Sequence, residues 1–453
     1  MGRRDAPWLD DVEAMDPAAV ADLQRARLVA QMAWLQDRSE FYRRKLAAAG
    51  VAFADIRTAD DLRRVPFTYK QELRDSLAER PPYGLHQAAD LADIVQMQAS
   101  SGTTGVPAFV ALTAADLEAW SEMTARCLFA CGLRPGDKVL HGFSMAKGFV
   151  GGIPIFQALQ YMGCIDIPIG ADGGIDRLLV AAQALRPEGI VGTPNFILHL
   201  AERAPDLIGC AAPDLGVRRI VVGGEPGGGI PAIRNRMQAA WNATVCELMG
   251  GTDLGCAYWA ECDHQAGMHL VAPDHVLAEL LDPETEEPVA WAEGARGELV
   301  YTGLTRRASP VLRFRSGDHV EVLGMGCACG RTGPRIRCFG RTDDMLIVRG
   351  VNVFPSAIQD IVASMRPDTN GVVRVLADFD GHTTQGNLKV LVERGPGRDP
   401  AGDATLREAV ATRLRNTLSF KADVRILPAD SFEKPGVQKV ALTLRQAPSY
   451  LED

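Results

Sequence analysis

A short stretch rich in glycine and hydroxyl side chains offers the clearest chemistry in this sequence. Glycine lets backbone N–H groups approach an anion closely, and serine and threonine hydroxyls add hydrogen-bond donors. A Walker A loop or a dinucleotide fingerprint would lead into a helix, but here Pro107 and a strand-like run follow. We therefore expect a phosphate-binding loop between two strands, with a polar hairpin turn as the alternative. Its residues are Ser100, Ser101, Gly102, Thr103, Thr104 and Gly105.

Three cysteines and a histidine form a second group with recognisable chemistry. Thiolate and imidazole are the ligands of closed tetrahedral zinc sites, and four protein ligands leave no open position for catalysis. We therefore expect a structural zinc. Alternatively, His264 or Cys256 replaces one ligand, or the thiols are unliganded in a reducing cytosol. The expected ligands are Cys262, His269, Cys327 and Cys329.

The elements that must position these residues change along the chain. The first ninety residues read as helices, at 20–48 and 59–77. From residue 94, short β-branched runs alternate with helical segments, as in a largely parallel sheet covered by helices. Residues 274–323 read as a β-rich appendage, and 344–453 as a compact α+β unit. The strand candidates of the parallel sheet are 138–143, 164–169, 189–192, 218–222 and 243–249.

The sequence thus predicts the α/β class, with a large N-terminal domain and a small C-terminal one. The length of 453 residues, 47% hydrophobic and 23% charged, excludes a small module and a disordered chain. A net charge of −9 gives no reason to expect nucleic acid or a membrane as a partner. Because acidic residues stand where a signal peptide needs an apolar run, we expect a cytoplasmic protein.

Several ordered motifs resemble the adenylate-forming superfamily, in its phenylacetate:CoA ligase branch. The resemblance covers nearly the full chain. It implies an adenylation domain at residues 1–340, which binds ATP and the acyl substrate, and a mobile lid domain at 341–453 that swings about a hinge at Asp343. The motifs are the loop above, residues 41–45, 66–68, 223–226 and 315–318, and the stretch 340–355.

The resemblance also implies a two-step reaction and the residues that serve it. A carboxylate attacks the α-phosphate of ATP with Mg²⁺ present, pyrophosphate leaves, and a thiol, usually that of coenzyme A, then displaces AMP. The loop at 100–105 would hold the phosphates, Asp318 would accept hydrogen bonds from the ribose hydroxyls, and Arg341 would contact ribose or phosphate. The remaining nucleotide-site residues would be Gly224, Glu225 and Pro226 around adenine, Met249, Gly250 and Gly251, catalytic Thr252, and Asp253 on Mg²⁺.

The sequence departs from the family pattern at several of these positions. The loop continues as Gly-Val-Pro, without the usual lysine, and Met249 stands where an aromatic ring usually stacks on adenine. Asp253 replaces a longer glutamate, so a water or the backbone must supply the missing reach to Mg²⁺. The C-terminal catalytic lysine is displaced as well: Lys434 and Lys439 both lie near the expected place. We prefer Lys439, with two surface lysines as the alternative.

The resemblance places the acyl pocket in two glycine- and aromatic-containing segments. A cation at Lys147 would pair with a second polar group on an aromatic acid, so Lys147→Met should shift preference toward unsubstituted acids; the alternative is a surface lysine. The expected pocket residues are Phe143, Lys147, Phe149, Gly151 and Thr193.

The resulting hypothesis is an ATP-dependent aryl-acid:CoA ligase that uses ATP, Mg²⁺ and coenzyme A and carries a structural zinc. Its partner is a small carboxylic acid, an aromatic one by resemblance, and a homodimer is compatible with the family. One alternative is an enzyme that transfers an aryl or amino acid to a carrier-protein thiol or another nucleophile. The other is a degenerate nucleotide-binding homologue without catalysis.

Overall fold

The computed structural model describes residues 8–99, 109–146, 148–432 and 441–446. The helices are α1 (Pro17–Arg38), α2 (Glu40–Ala48), α3 (Lys70–Glu79), α4 (Ala114–Ala130), α5 (Ile153–Met162), α6 (Ile175–Leu185), α7 (Pro194–Ile208), α8 (Pro231–Trp241), α9 (Pro355–Ser364) and α10 (Asp403–Leu418). The strands are β1 (Ile94–Ala99), β2 (Phe109–Thr113), β3 (Lys138–His141), β4 (Ile165–Ile167), β5 (Gly189–Gly192), β6 (Arg219–Val222), β7 (Thr244–Gly251), β8 (Gly255–Ala260), β9 (Met268–Leu270), β10 (Val276–Leu281), β11 (Arg296–Gly303), β12 (Phe314–Met325), β13 (Pro334–Arg341), β14 (Leu346–Val348), β15 (Val351–Val353), β16 (Thr369–Leu376), β17 (Thr383–Thr384), β18 (Leu388–Arg394), β19 (Ala422–Leu427) and β20 (Thr443–Leu444).

One eleven-stranded sheet organises the larger part of the chain, in the order β10-β11-β12-β13-β9-β8-β7-β6-β5-β3-β4. The strands β4, β3, β5, β6 and β7 pair in parallel, and each of them overlaps a strand candidate from the sequence. Beyond β7 the pairing is antiparallel. The α/β class is therefore confirmed, and the expected β-rich appendage proves to be a continuation of the same mixed sheet.

The parallel strands are buried on both faces, which explains their continuous apolar runs. On β6, Val221 packs in a cluster with α4 and α5, whereas its neighbours Ile220 and Val222 pack in a second cluster with α6, α7 and α8. Side chains that alternate between two faces of a strand produce this division. Among the described residues, none of the helices has both the length and the apolarity that crossing a membrane requires.

The N-terminal helices differ from the prediction at two breaks. The stretch 20–48 divides at Ser39, which has an extended backbone and whose hydroxyl accepts a hydrogen bond from the N–H of Tyr42, so it caps α2. Within 59–69 only Asp61–Arg64 are helical, as one short 3-10 turn, and α3 begins only at Lys70. Pro66 explains this second break, because a proline disfavours the helical conformation for Val65 before it.

The C-terminal part contains two small sheets. One has the order β15-β14-β17, and the other has the order β19-β18-β16-β20 with α9 and α10 packed on its core. The β16–β18 pair is the hairpin that the sequence predicts. Strand β13 continues through the expected boundary to Arg341, and the division into domains at residue 340 stays a prediction.

Candidate active site and metal centre

The expected phosphate loop connects the antiparallel strands β1 and β2, whose ends meet at Ala99 and Phe109. The loop residues themselves, Ser100, Ser101, Gly102, Thr103, Thr104 and Gly105, lie outside the described residues, as do Lys147, Lys434 and Lys439. Helix α4 begins only after β2. The surroundings of the loop are therefore two strands, as expected, and its contacts stay a prediction.

The expected adenine segment follows β6 in a glycine-rich turn. Gly224 has a φ of +82°, a left-handed conformation that favours glycine. Oε1 of buried Glu225 accepts a hydrogen bond from the N–H of Asn195 at 2.9 Å, which fixes the turn to the start of α7, and Pro226 follows directly. This turn lies at the carboxyl end of a parallel strand, where ligands bind in open α/β sheets.

The next strand, β7, carries Met249, Gly250 and Gly251 into a tight hairpin with β8. A Cβ on Gly250 would lie 2.1 Å from the carbonyl oxygen of Cys256, so only glycine fits there. Thr252 follows in a buried position. The hairpin therefore holds the expected nucleotide residues in a fixed backbone arrangement, and Met249 itself is half-buried.

Asp253 lies in the turn of this hairpin and meets a cation that the sequence analysis missed. Nζ of Lys70, at the start of α3, donates to Oδ2 of Asp253 at 3.3 Å. The Asp253 side chain is only 12% exposed. The sequence held one sign that Lys70 belongs to the site, since it lies two residues after the 66–68 motif. Spacing alone, however, does not show where its ammonium group points.

Asp318 and Arg341 lie opposite each other on β12 and β13. Nη1 of Arg341 donates to Oδ1 of Asp318 at 2.5 Å, and its Nε donates to Asp343 at 2.9 Å. Burial raises the pKa of Asp318, and the positive charge of Arg341 opposes this rise. The structure thus joins the expected ribose residue to the expected hinge residue through one guanidinium group.

Tyr258 on β8 lies next to the hairpin and to β11. Burial raises the pKa of its hydroxyl, and the charges of Asp318 and Asp253 raise it further. A Cβ on Gly251 would lie 3.6 Å from the Tyr258 hydroxyl, and the rings of Tyr258 and Tyr301 are 5.2 Å apart. Asp253 and Asp318, 65 residues apart by their numbers, thus both act on one buried hydroxyl group.

The described residues of the expected acyl pocket also come together. The rings of Phe143 and Phe149 are 6.2 Å apart, and a Cβ on Gly151 would lie 2.5 Å from the Phe149 ring. A Cβ on Gly224 would lie 3.8 Å from Phe149 and 3.9 Å from Thr193. The adenine turn and the aromatic pair are therefore neighbours, as a site that joins an acid to a nucleotide requires.

A buried histidine that the sequence analysis did not single out supports this segment. The His141 ring contacts the carbonyl oxygen of Gly151 through Nε2 at 3.2 Å, and its Nδ1 lies 3.4 Å from Oδ1 of Asp166. Both side chains are at most 2% exposed. At an exposed position of the same segment, the Asp172 carboxylate accepts hydrogen bonds from the Ser144 hydroxyl and from the N–H of Met145.

The four expected zinc ligands converge in the described structure. Their ligand atoms all lie within 4.8 Å of one another, with 3.8 Å between Sγ of Cys262 and Sγ of Cys327 and 3.8 Å between Sγ of Cys329 and Nε2 of His269. A tetrahedral zinc with Zn–S bonds of about 2.3 Å separates two sulfurs by about 3.8 Å. The donor set and its spacing therefore fit zinc.

The side chains around this cluster link it to the N-terminal part of the chain. The neighbouring Cys262 and His269 lower the pKa of the Cys329 thiol, whereas the proximity of Cys329 raises that of Cys262; metal binding would displace the thiol protons. Buried Arg331 donates from Nε to Glu13 at 2.8 Å. Cys256, an alternative ligand, instead donates to the carbonyl oxygen of Val150.

Comparisons with known proteins agree with this arrangement. The family model described as AMP-binding enzyme matches residues 25–305. The chain is 33% identical over 434 residues to a phenylacetate-coenzyme A ligase of Thermus thermophilus, covering 92% of this chain and 94% of that relative.

Two crystal structures of 2-hydroxyisobutyryl-CoA ligase show a similar fold. In the postadenylation state with R3-HIB-AMP, that enzyme gives a TM-score of 0.89 at 26% identity over 98% of this chain and 94% of its own. In the thioesterification state with 2-HIB-AMP and CoA, the TM-score is 0.72 at 27% identity over 98% and 93%. The present conformation is thus nearer to the former. The family match and the relatives together establish that the chain belongs to the AMP-binding enzymes of the adenylate-forming superfamily, in the branch similar to phenylacetate-coenzyme A ligases.

Proposed function

We propose that this protein is an AMP-forming acid:CoA ligase that acts on an aromatic acid. It would form an acyl-adenylate with release of pyrophosphate, and then an acyl-CoA with release of AMP. The observation that carries this proposal is that Asp318, held by Arg341, and Asp253, in the β7–β8 turn, both act on Tyr258 beside Gly251. A nucleotide with its ribose on one carboxylate and its phosphates near the other spans such an arrangement.

Each of the candidate site residues that the structure describes has a role in this proposal. Asp318 accepts hydrogen bonds from ribose hydroxyls, while Arg341 holds the Asp318 carboxylate and contacts ribose or phosphate. Thr252 donates its hydroxyl toward the phosphate region, and Lys70 supplies a positive charge there, where the loop at 100–105 lacks its usual lysine. Asp253 would hold Mg²⁺, which neutralises phosphate charge when bound.

Two observations support an aromatic acid as the substrate. The relative from Thermus thermophilus is named for phenylacetate, and the Phe143 and Phe149 rings lie side by side near Gly224 and Thr193. Offset or tilted contact with these rings would favour a flat ring in the substrate. A small hydroxy acid, as bound by the enzyme of the similar crystal structures, is the competing substrate class.

The thiol acceptor and the lid movement belong to the same proposal. Coenzyme A is the acceptor named in the relatives and in the similar crystal structures. Residues 341–453 would turn about Asp343 between the two half-reactions, which would break the contact between Arg341 and Asp343. Lys439, with Lys434 as the alternative, would reach the α-phosphate during adenylation.

The test is to incubate the full-length protein with ATP, Mg²⁺ and a panel of aromatic and 2-hydroxy acids, with and without coenzyme A. Mass spectrometry would then measure AMP and acyl-CoA. We expect both products with an aromatic acid and coenzyme A, and neither with the Asp318→Ala variant. AMP formed equally without coenzyme A would contradict coenzyme A as the acceptor. Acyl-CoA formed only from 2-hydroxy acids would contradict an aromatic substrate. If no acid yielded AMP, the proposed ligase activity itself would be contradicted.

A further inference from the structure

Arg306 is a buried cation that has no hydrogen-bond partner among the residues that the structure describes. It follows β11, its residue is 3% exposed, and Nε, Nη1 and Nη2 all lack a hydrogen-bond partner within the described part of the chain. Its backbone is fixed, since the carbonyl oxygen of Arg306 accepts from Nε2 of Gln31 at 2.7 Å. The main chain is thus held in place, while the described residues offer no acceptor to the five N–H donors of the guanidinium group.

Such a group is costly in the folded protein. Burying a charged group without compensating hydrogen bonds costs several kcal/mol, so proteins pair buried guanidinium groups with anions. The Trp120 ring lies 5.1 Å away and offers a cation–π contact, which compensates only part of this cost. The indole N–H of Trp120 also lacks a partner among the described residues, so two kinds of donor are unused at the same place.

The nearby carboxylates do not satisfy Arg306, because other groups occupy them. Asp116 accepts from the hydroxyl of Thr113 at 2.9 Å and from the N–H of Arg307 at 2.7 Å, as the cap of α4. Asp253 accepts from Lys70. Burial lowers the pKa of Arg306, and the charges of Asp116 and Asp253 oppose this at a distance. The arrangement offers a positive charge to a further anion.

The position of Arg306 indicates which anion it would bind. Ser309, three residues later, accepts a hydrogen bond through Oγ from the N–H of Ala111 at 3.1 Å, so this segment lies against β2. Strand β2 leaves the expected phosphate loop, and Asp253 is the expected Mg²⁺ ligand. Arg306 is therefore three residues from a contact with the strand that follows the loop, and the charge of Asp253, the expected Mg²⁺ ligand, acts on it.

We propose that Arg306 binds the pyrophosphate portion of ATP, with its planar guanidinium group facing the β- and γ-phosphate oxygens. Arginine suits this role because its paired N–H donors match phosphate geometry. The loop segment Gly-Val-Pro at 105–107 has no cation, and Arg306 supplies one from another part of the chain. This inference rests on the proposed function in that the nucleotide is ATP, but it does not depend on the acid or on the acceptor.

The experiment compares ATP and AMP binding, measured by isothermal titration calorimetry with Mg²⁺ on the full-length protein. The variants are Arg306→Met, Arg306→Lys and the matched control Arg307→Met, whose side chain lies over the Trp34 ring at 4.8 Å. We expect Arg306→Met to weaken ATP binding about 10- to 100-fold and to leave AMP binding unchanged. The ATP affinity of Arg306→Lys should lie between those of the wild type and Arg306→Met. Arg307→Met should bind ATP as tightly as the wild type.

Thermal unfolding without nucleotide separates this role from a structural one. Because no described residue pairs with the Arg306 guanidinium group, Arg306→Met should unfold at the same temperature as the wild type or at a higher one. An unchanged ratio of ATP to AMP affinity, or a lower unfolding temperature for Arg306→Met without nucleotide, would overturn the proposal. If no acid yields AMP, the proposed function fails, while the difference between ATP and AMP binding still decides the role of Arg306.

Discussion

Nζ of Lys70 donates to Oδ2 of Asp253 at 3.3 Å, although the two residues are 183 positions apart in the sequence. The contact joins the first turn of α3 to the turn between β7 and β8. A cation so close to the expected Mg²⁺ ligand places positive charge where phosphates would bind. Lys70 thereby offers a replacement for the lysine that the loop at 100–105 lacks.

Replacing Lys70 with methionine should impair adenylation. We expect kcat/KM for ATP to fall about 10- to 100-fold, because a charge-assisted hydrogen bond contributes about 1.5–3 kcal/mol. The measurement is pyrophosphate release at varied ATP concentration. Lys389→Met is the matched control, since Lys389 forms a similar pair with Asp378 at 2.5 Å in the C-terminal part. An equal loss in both variants would contradict a specific role for Lys70.

Removal of the Arg341 guanidinium group should affect both activity and stability. Arg341→Ala leaves the buried Asp318 carboxylate without its partner, so we expect a loss of about 1–2 kcal/mol in the free energy of unfolding, which is modest because Arg341 is 38% exposed. Urea unfolding measures this loss, and AMP release should fall at least about 10-fold.

A double variant separates the two effects of Arg341. Asp318→Asn with Arg341→Ala should recover most of the lost stability without recovering activity, since no buried charge remains unpaired. Arg337→Ala on the same strand, which pairs with Glu321 at 2.9 Å, should retain the wild-type activity. Recovered activity in the double variant would show that Asp318 does not bind the nucleotide.

The stability of the protein should fall as the pH rises from about 4.5 to 7, through Glu247. Burial, together with the charge of Glu261, raises the pKa of Glu247 to about 7, and hydrogen bonds from the N–H groups of Gly229 and Gly228 and the charge of Arg234 oppose this. In this range the folded protein holds a proton that the unfolded chain has released, so a rising pH favours unfolding.

The size of this effect follows from the pKa difference. One pKa unit corresponds to about 1.4 kcal/mol, and because Glu247 keeps some contact with solvent we expect a decrease of about 2 kcal/mol. Urea unfolding at several pH values measures it. The Glu247→Gln variant should lose this part of the pH dependence, whereas Glu284→Gln, in an exposed turn, should keep it. Identical pH profiles for wild type and Glu247→Gln would contradict the assignment.

The cluster of Cys262, His269, Cys327 and Cys329 should bind one zinc per chain. Inductively coupled plasma mass spectrometry on protein purified without chelator measures the metal directly. Cys329→Ser should lose the zinc and unfold about 5 °C lower or more, because metal binding contributes to folding stability. Cys210→Ser, at a half-buried thiol elsewhere, should keep the metal. Absence of zinc, together with no uptake on titration, would contradict the site.

Much of the framework could be predicted from local patterns. The strands at 189–192 and 219–222 are apolar runs bounded by turns, and the structure has them side by side in parallel. Alternation of apolar residues depends on neighbours a few positions away, so a single sequence displays it. The same holds for the four zinc-ligand candidates, since metal ligands are restricted to a few residue types at short spacing.

The sequence by itself therefore determined the α/β class and the family, and it supplied the candidate site residues, whose roles stay predictions. The tertiary structure decided that the β-rich segment continues the parallel sheet, that Lys70 meets Asp253, and that Arg306 is buried with no hydrogen-bond partner among the described residues. These features depend on strand order and on where long side chains point. Neither is encoded in local spacing, because contacts between distant residues form only when the whole core packs.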